Sequence, residues 1–148
     1  MKLVQRATIQ APIDRAWALL MDLERAAACV PGVSGLTAVA PDRYRGSLAL
    51  QLGPVRLTLD GELAVSARDD AAHRATLRAD AKDARLGGSV RATLEIALAE
   101  AASGCELSVS GDMNIAGRIG EFGQPVIQRK ADQLFAQMTA CLGRVAAG

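Results

Sequence analysis

The feature that most constrains this chain is a stretch of about eighty residues, beginning near Gly35, in which apolar and polar side chains alternate. Alternation with a period of two is typical of strands that bury one face. Turn signals interrupt it at residues 53–54, 69–70, 87–88 and 103–104. We therefore predict a meander of antiparallel strands over residues 44–52, 55–67, 73–81, 89–99 and 105–115, preceded by a strand over residues 3–10.

Helical spacing occurs on both sides of this stretch. Two short helical segments follow the first strand, at residues 13–21 and 23–29, and the second ends before Pro31. The chain closes with a long amphipathic helix, in which Pro125 predicts either a kink or the start of the regular helix, because proline lacks a backbone donor. The apolar stripe of this final segment comprises Ile119, Phe122, Val126, Ile127, Leu134, Phe135, Met138, Leu142 and Val145.

The inward positions of the strands form an almost purely apolar face, which an antiparallel sheet must cover. Only the final helix is long enough, so we predict an α+β fold in which a curved antiparallel sheet wraps around a C-terminal helix. Small inward residues, such as Gly46, Gly61 and Gly111, are expected to widen the space between them. The candidate ligand-binding residues that line this space are Leu48, Leu50, Leu59, Gly61, Leu63, Leu77, Ala92, Leu94, Ile96, Val109, Gly111, Met113, Phe122, Val126, Leu134 and Phe135.

Two interpretations of this apolar interior remain open. An empty void of ~300 Å³ would cost about 7 kcal/mol at ~24 cal/mol per Å³, against a whole-domain stability of ~5–15 kcal/mol, so it would be filled by a guest or collapse. In the alternative, the leucines and the helix interdigitate as a solid core. The periodicity fits both interpretations equally well.

Composition argues against several classes of function. Seventeen basic and sixteen acidic residues give a formal net charge of +1, so the chain lacks the basic surface of a nucleic-acid-binding protein. It also lacks an apolar run of signal-peptide or membrane-span length, and we expect a cytoplasmic location. Cys29, Cys105 and Cys141 are widely spaced beside one histidine, which favours buried, reduced thiols over a metal site. A disulfide would require two of them to face each other.

Residues able to catalyse a reaction are scarce on the predicted inner face. Asp80 and Asp112 fall on the outer side of their strands, and His73 adjoins a turn, where we expect a solvent-exposed loop residue. Because no acid, base and oxyanion donor converge, we predict a binding protein and not an enzyme. The glycines at 87–88 and 117–123 lack the context of a phosphate-binding loop, and we expect them to serve close backbone packing.

Several short sequences, taken in order, resemble the carbon monoxide dehydrogenase G-subunit family of the START-like (SRPBCC) helix-grip superfamily. They are IQAP at residues 9–12, CVPG at 29–32, LGPV at 52–55, LDG at 59–61 and GRIGEFG at 117–123. The resemblance covers nearly the whole chain and implies one domain over residues 1–148. The implied fold is a seven-stranded curved antiparallel sheet around a long C-terminal helix, with two short helices after the first strand.

The resemblance also implies a function. Members accompany molybdenum hydroxylases of the carbon monoxide dehydrogenase and xanthine dehydrogenase type, so the expected protein is an accessory factor without a covalently bound cofactor. Its expected ligand is a hydrophobic molecule, a quinone or a fatty compound. An alternative is an assembly or membrane-recruitment factor acting by protein contact without cargo, and a less favoured one is an enzyme of cyclase or hydrolase type.

The resemblance bears on membrane contact as well. Relatives tied to membranes often carry a tail after the long helix, whereas this sequence ends at Gly148. The resemblance therefore favours transient contact at the inner face of the membrane over a stable anchor, and whether such contact occurs stays open. The oligomeric state stays open, with a dimer among the options.

Overall fold

The alternating segments pair with their neighbours in the sequence, as a meander requires. In the computed structural model, which describes residues 1–147, seven strands form one antiparallel sheet. The strands are β1 (Lys2–Ile9), β2 (Val33–Ala40), β3 (Arg43–Leu52), β4 (Val55–Asp69), β5 (Arg74–Lys82), β6 (Ser89–Ala101) and β7 (Gly104–Ala116). Their spatial order is β1-β7-β6-β5-β4-β3-β2, so β1 leaves the sequential order and pairs with β7.

Helices lie at the two predicted places. The two short helices after β1 are α1 (Ile13–Met21), which follows Pro12, and α2 (Leu23–Ala27), whose first turn is capped by the Asp22 carboxylate. The long helix α3 (Gln124–Ala147) carries Pro125 in its first turn, where a missing donor costs little. Of the two outcomes predicted for Pro125, the structure therefore shows the helix start.

One part of the predicted apolar stripe does not belong to α3. Ile119 and Phe122 lie in a separate short 3₁₀ helix (Gly117–Phe122). Gly123 divides the two helices, with a φ of 85°, a left-handed conformation that breaks helical continuity. The spacing of the two side chains happens to match that of the helical stripe, and the prediction that Phe122 belongs to the long helix was wrong.

Glycines allow the sheet to bend sharply. A Cβ atom at Gly61 would lie 2.2 Å from the Asp80 carbonyl oxygen, and one at Gly111 would lie 2.0 Å from the Thr93 carbonyl oxygen. Neighbouring strands can therefore approach only because these positions lack side chains. This corrects the predicted widening at these glycines, because the adjacent strand occupies the place of each missing side chain.

The buried side chains form two hydrophobic clusters. The first, which we call the large cluster, joins β1, α1, the ends of β5–β7 and the C-terminal half of α3, with Ile9, Leu107 and Leu142 at most 1% exposed. The second, the small cluster, joins the β3–β4 hairpin to the 3₁₀ helix through Leu52, Leu57, Leu59 and Ile119. Residues of both clusters face α3, so the helix covers the concave side of the sheet.

The cysteines depart in part from the predicted reduced state. Cys29, after α2, and Cys141, on α3, form a disulfide with their Cα atoms 5.4 Å apart. The expectation of free thiols was wrong for this pair, because 112 residues of sequence separation concealed their spatial proximity. Cys105 is a free, buried thiol as predicted, and burial raises its pKa, with a smaller contribution from Glu100.

These elements confirm the predicted α+β helix-grip fold. The curved seven-stranded antiparallel sheet, the two short helices after the first strand and the long C-terminal helix are all present. The concave face of the sheet is turned toward α3, and the outer face is turned away from it.

Candidate functional site

One row of residues across the concave face lies between the two clusters. Strand register places Tyr44, Leu63, Ala79, Ala92 and Met113 side by side on β3–β7, and we call this set the middle row. On one side of it the neighbouring row packs in part against the small cluster, and on the other side in part against the large cluster. Within residues 1–147, none of the five belongs to either cluster. The middle row therefore separates the two clusters without packing in either of them.

Burial supports this description. Leu63, Ala79 and Met113 are half-buried although they face the helix side of the sheet, and only Ala92, at 6% exposure, is fully buried. The α3 backbone approaches β1, α1, β3 and the 3₁₀ helix most closely. The helix thus leans on the edges of the concave face and leaves apolar side chains partly uncovered near its centre.

The sixteen predicted lining residues are distributed over seven elements. Ten of them pack in or against the two clusters, and the others are the two glycines at the bends, Leu63, Ala92 and Met113 of the middle row, and Leu134 of α3. By element they are Leu48 and Leu50 on β3, Leu59, Gly61 and Leu63 on β4, Leu77 on β5, Ala92, Leu94 and Ile96 on β6, Val109, Gly111 and Met113 on β7, Phe122 on the 3₁₀ helix, and Val126, Leu134 and Phe135 on α3. Contact with a ligand stays a prediction for all of them.

Two depressions open beside the N-terminal half of α3. One, of about 390 Å³, lies between the β3–β4 turn and α3 and includes the predicted residue Val126. The other, of about 310 Å³, lies between the end of β7 and the start of α3 and includes Met113 of the middle row. Both flank the end of the helix that covers the small cluster. Each brings a predicted lining residue to the surface of a depression beside α3.

Polar groups at the helix–sheet junction are engaged with each other. The Gln5 side-chain amide on β1 donates to the Asp132 carboxylate on α3 at 2.6 Å, and the Gln128 amide donates to the same oxygen at 2.8 Å. The bond from Gln5 and then that from Gln128 lower the pKa of Asp132. Asp132 is therefore held as a carboxylate that fastens α3 to β1, and it is not poised to donate a proton.

No orphan polar atom marks a ligand position. Every buried side-chain nitrogen or oxygen atom within residues 1–147 has a hydrogen-bond partner. In the same residues, no three His, Cys, Asp or Glu side chains lie together in a way that could hold a metal ion. The chemistry offered by the concave face is thus mainly apolar contact, with the Tyr44 hydroxyl as the polar group of the middle row.

His73 occupies a different environment from the one predicted. Its ring packs edge-on against Trp17 with the ring centroids 5.6 Å apart, and its Nε2 atom lies 3.3 Å from Asp14 Oδ1. The side chain is 20% exposed, so the prediction of a solvent-exposed loop residue was wrong. Trp17 is buried as expected, and its indole also donates to Asp70 at 2.9 Å. This corner fastens the β4–β5 turn to α1, which lies far from it in the sequence.

Asp83 is a buried polar residue that the sequence pattern did not reveal. It lies in the β5–β6 loop, and its carboxylate accepts backbone hydrogen bonds from Leu86 at 2.7 Å, Arg85 at 2.8 Å and Thr58 at 2.9 Å. These bonds, that from Leu86 first, lower its pKa. An Asp three residues before Leu86 in a glycine-ended loop is a signal of such a turn, but the bond across to Thr58 required the fold.

The glycines of two loops meet beside this residue. A Cβ atom at Gly117 would lie 2.7 Å from the Cα atom of Gly88, and the Arg118 amide donates to the Gly87 carbonyl oxygen at 3.2 Å. The β5–β6 loop and the 3₁₀ helix thus pack backbone against backbone. The predicted role of these glycines in close packing is confirmed at Gly88 and Gly117.

Among residues 1–147, none of the helices combines the length and the apolar character needed to cross a membrane.

Comparisons with known proteins agree on the architecture. The family model for the carbon monoxide dehydrogenase G subunit (CoxG) matches residues 6–147. Among curated proteins, none matches the sequence significantly.

Solved structures supply three informative neighbours. A conserved protein from Geobacillus kaustophilus has a TM-score of 0.88 at 18% identity, covering 99% of this chain and 95% of its own. A Thermus thermophilus protein has a TM-score of 0.71 at 16% identity, covering 100% of both chains. The Zhui aromatase/cyclase from a Streptomyces species has a TM-score of 0.58 at 16% identity, covering 93% of this chain and 91% of its own. At these identities the likeness shows the fold alone.

Proposed function

Because the chain belongs to the carbon monoxide dehydrogenase G-subunit family, within the START-like (SRPBCC) helix-grip superfamily, we propose that it is an accessory protein that binds a lipophilic small molecule. The proposed ligand is a quinone, held between the concave face and α3. The proposed partner is a molybdenum hydroxylase of the carbon monoxide dehydrogenase or xanthine dehydrogenase type. The accessory role follows from the family, whereas the ligand and the partner are specific to this proposal.

The observation that carries the proposal is the incomplete cover of the middle row. Leu63 and Met113 face the helix side yet remain half-buried, and neither belongs to the clusters that lie on either side of them. Apolar surface left in water is unfavourable by roughly 25 cal/mol per Å², so an apolar guest that covers this row gains free energy of that order for each Å² it removes from solvent. A flat apolar ring is the shape that such a row accepts.

A quinone suits the polar groups as well as the apolar ones. It is an apolar ring whose polar atoms are carbonyl acceptors, and the Tyr44 hydroxyl shares the middle row with Leu63. The other polar side chain on this side of the sheet, Gln5, already donates to Asp132. A ligand that needs one hydrogen-bond donor therefore fits better than one that carries charges.

The polar side chains near the concave face also support a binding role over a catalytic one. General acid or base catalysis requires a titratable group within hydrogen-bond reach of the substrate, with a pKa near the working pH. Asp132 is fixed as a carboxylate by two amides, and His73 is engaged with Trp17 and Asp14 at the β4–β5 corner. The structural likeness to an aromatase/cyclase keeps catalysis as the competing function, and a product formed on the bound ligand would favour it.

Ligand binding is tested by filling the space beside the middle row. Leu94→Trp enlarges a half-buried residue on β6, and Val4→Trp makes the same kind of change at a position that is 66% exposed on the outer face. Titration with 1,4-naphthoquinone by calorimetry should show saturable binding to the wild type and to Val4→Trp. Leu94→Trp should weaken binding at least tenfold, because the indole occupies the ligand's place.

A second variant and a folding measurement control for misfolding of Leu94→Trp. Ala79→Leu adds three carbon atoms at a half-buried position of the middle row itself, and circular dichroism establishes that each variant is folded. Wild-type protein that binds no quinone, or folded variants that bind it as well as the wild type, would contradict the proposal. A pull-down that retains the molybdenum hydroxylase while the protein binds no quinone would favour an assembly factor instead.

A further inference from the structure

The outer face of the sheet carries a row of paired charges. Arg45, Glu62, Asp80 and Arg91 are direct neighbours across β3–β6. Arg45 Nη2 lies 2.9 Å from Glu62 Oε1, and Arg91 Nη2 lies 3.4 Å from Asp80 Oδ2. The hydrogen bond and the charge of Arg45 lower the pKa of Glu62. Each carboxylate of this row is thus matched by one arginine.

The next row on the same face is not balanced. Register places Arg43, Ala64, Arg78 and Thr93 side by side on β3–β6. Within residues 1–147, neither Arg43 nor Arg78 has an ion pair, although Arg43 acts on Glu62 at longer range. Two arginines therefore stand on either side of an alanine with no carboxylate between them.

The residues of these two rows other than Arg45 line an open depression of about 630 Å³. Ala64 lines it between the two arginines, and Asp42, which also lines it, is paired with Arg68 at 3.5 Å. Arg43 and Arg78 lie two strands apart, which corresponds to about 10 Å between their Cα atoms. Two long arginine side chains can converge across that distance on a group seated above Ala64.

We propose that Arg43 and Arg78 bind one phosphate group above Ala64, with the Thr93 hydroxyl as a further donor. A guanidinium group offers parallel N–H donors that match two oxygens of an oxyanion. A carboxylate is satisfied by one such fork, whereas the tetrahedral oxygens of a phosphate can accept from two forks and a hydroxyl together. The phosphate belongs to a free phosphate monoester or to a phospholipid headgroup, since both present negatively charged non-bridging oxygens.

Inorganic phosphate and two outer-face arginines provide the first test. Arg78→Gln removes one fork, and Arg6→Gln makes the same change on β1, outside this depression. At constant ionic strength, set with chloride, phosphate should raise the melting temperature of the wild type and of Arg6→Gln. The rise in melting temperature should be lost in Arg78→Gln, because the proposed site needs both guanidinium groups to hold the phosphate.

A third variant tests the site while both arginines are retained. Ala64→Glu places a carboxylate between the two arginines, so it should fold normally and abolish the response to phosphate. Co-sedimentation with phosphatidylglycerol vesicles, against phosphatidylcholine vesicles, identifies the source: Arg78-dependent sedimentation indicates a lipid headgroup, and its absence with a retained phosphate response indicates a soluble ligand. If neither probe binds in a manner that depends on Arg78, the site is disproved.

Discussion

Two regions of the concave face contain the same kinds of side chain but differ in packing. In the large cluster, Leu107 and Leu142 are at most 1% exposed, and α1 and the C-terminal half of α3 close over them. In the middle row, Leu63 and Met113 are half-buried. The strands alternate in the same way through both regions, so the difference arises from the helices above them and not from the strands.

The comparison separates stability from binding. Side chains in the large cluster contribute to folding because they are fully removed from water, whereas those of the middle row retain surface that a ligand can cover. A protein that binds an apolar molecule needs both regions. Substitutions in the two should therefore have different consequences, which the following variants measure.

The largest expected effect comes from truncating matched leucines. Leu107→Ala should lower the free energy of unfolding by about 2–5 kcal/mol, because the side chain is fully buried. Leu63→Ala should cost about 1 kcal/mol, because much of that side chain already contacts water and its removal leaves a smaller cavity. Denaturant unfolding measures both, and equal losses would show that the middle row is packed as firmly as the large cluster.

The disulfide should give the next largest effect. Cys29→Ser opens a link that spans 112 residues and ties α2 to α3 at the large cluster, which should cost about 2–4 kcal/mol. A dithiol reductant should lower the stability of the wild type to that of the variant and leave the variant unchanged. If reductant does not change the stability of the wild type, the disulfide does not stabilise the large cluster.

A smaller, pH-dependent effect is expected at Asp83, near the small cluster. Its pKa is lowered in the folded state, so its contribution to stability is present above the unfolded pKa of about 4 and is lost as the pH falls through the folded pKa. Asp83→Asn should therefore lower the melting temperature by several degrees at neutral pH, and the gap to the wild type should narrow below pH ~4. The exposed Asp112→Asn is the control, and a gap that is constant with pH would contradict the assignment.

Much of the fold could be predicted because it depends on local periodicity. Alternation identified the strands other than β2 and the inward parity of residues such as Leu59 and Ile96, and Pro125 indicated the start of α3. The predictions that were wrong concern contacts between residues that are far apart in the sequence. Cys29 and Cys141 meet only after the helices pack, and Gly61 was expected to widen a space that the neighbouring strand in fact fills.

The sequence alone determined which side of each strand is apolar, because side-chain direction alternates with every residue whatever the strand packs against. Only the tertiary structure decided which part of that apolar face is sealed and which part stays uncovered. That outcome depends on where one helix about 10 Å across comes to rest over a wider curved sheet, and no local pattern specifies its position. The uncovered middle row is a product of that arrangement, whereas the arginine-flanked depression on the outer face follows from the register of the strands.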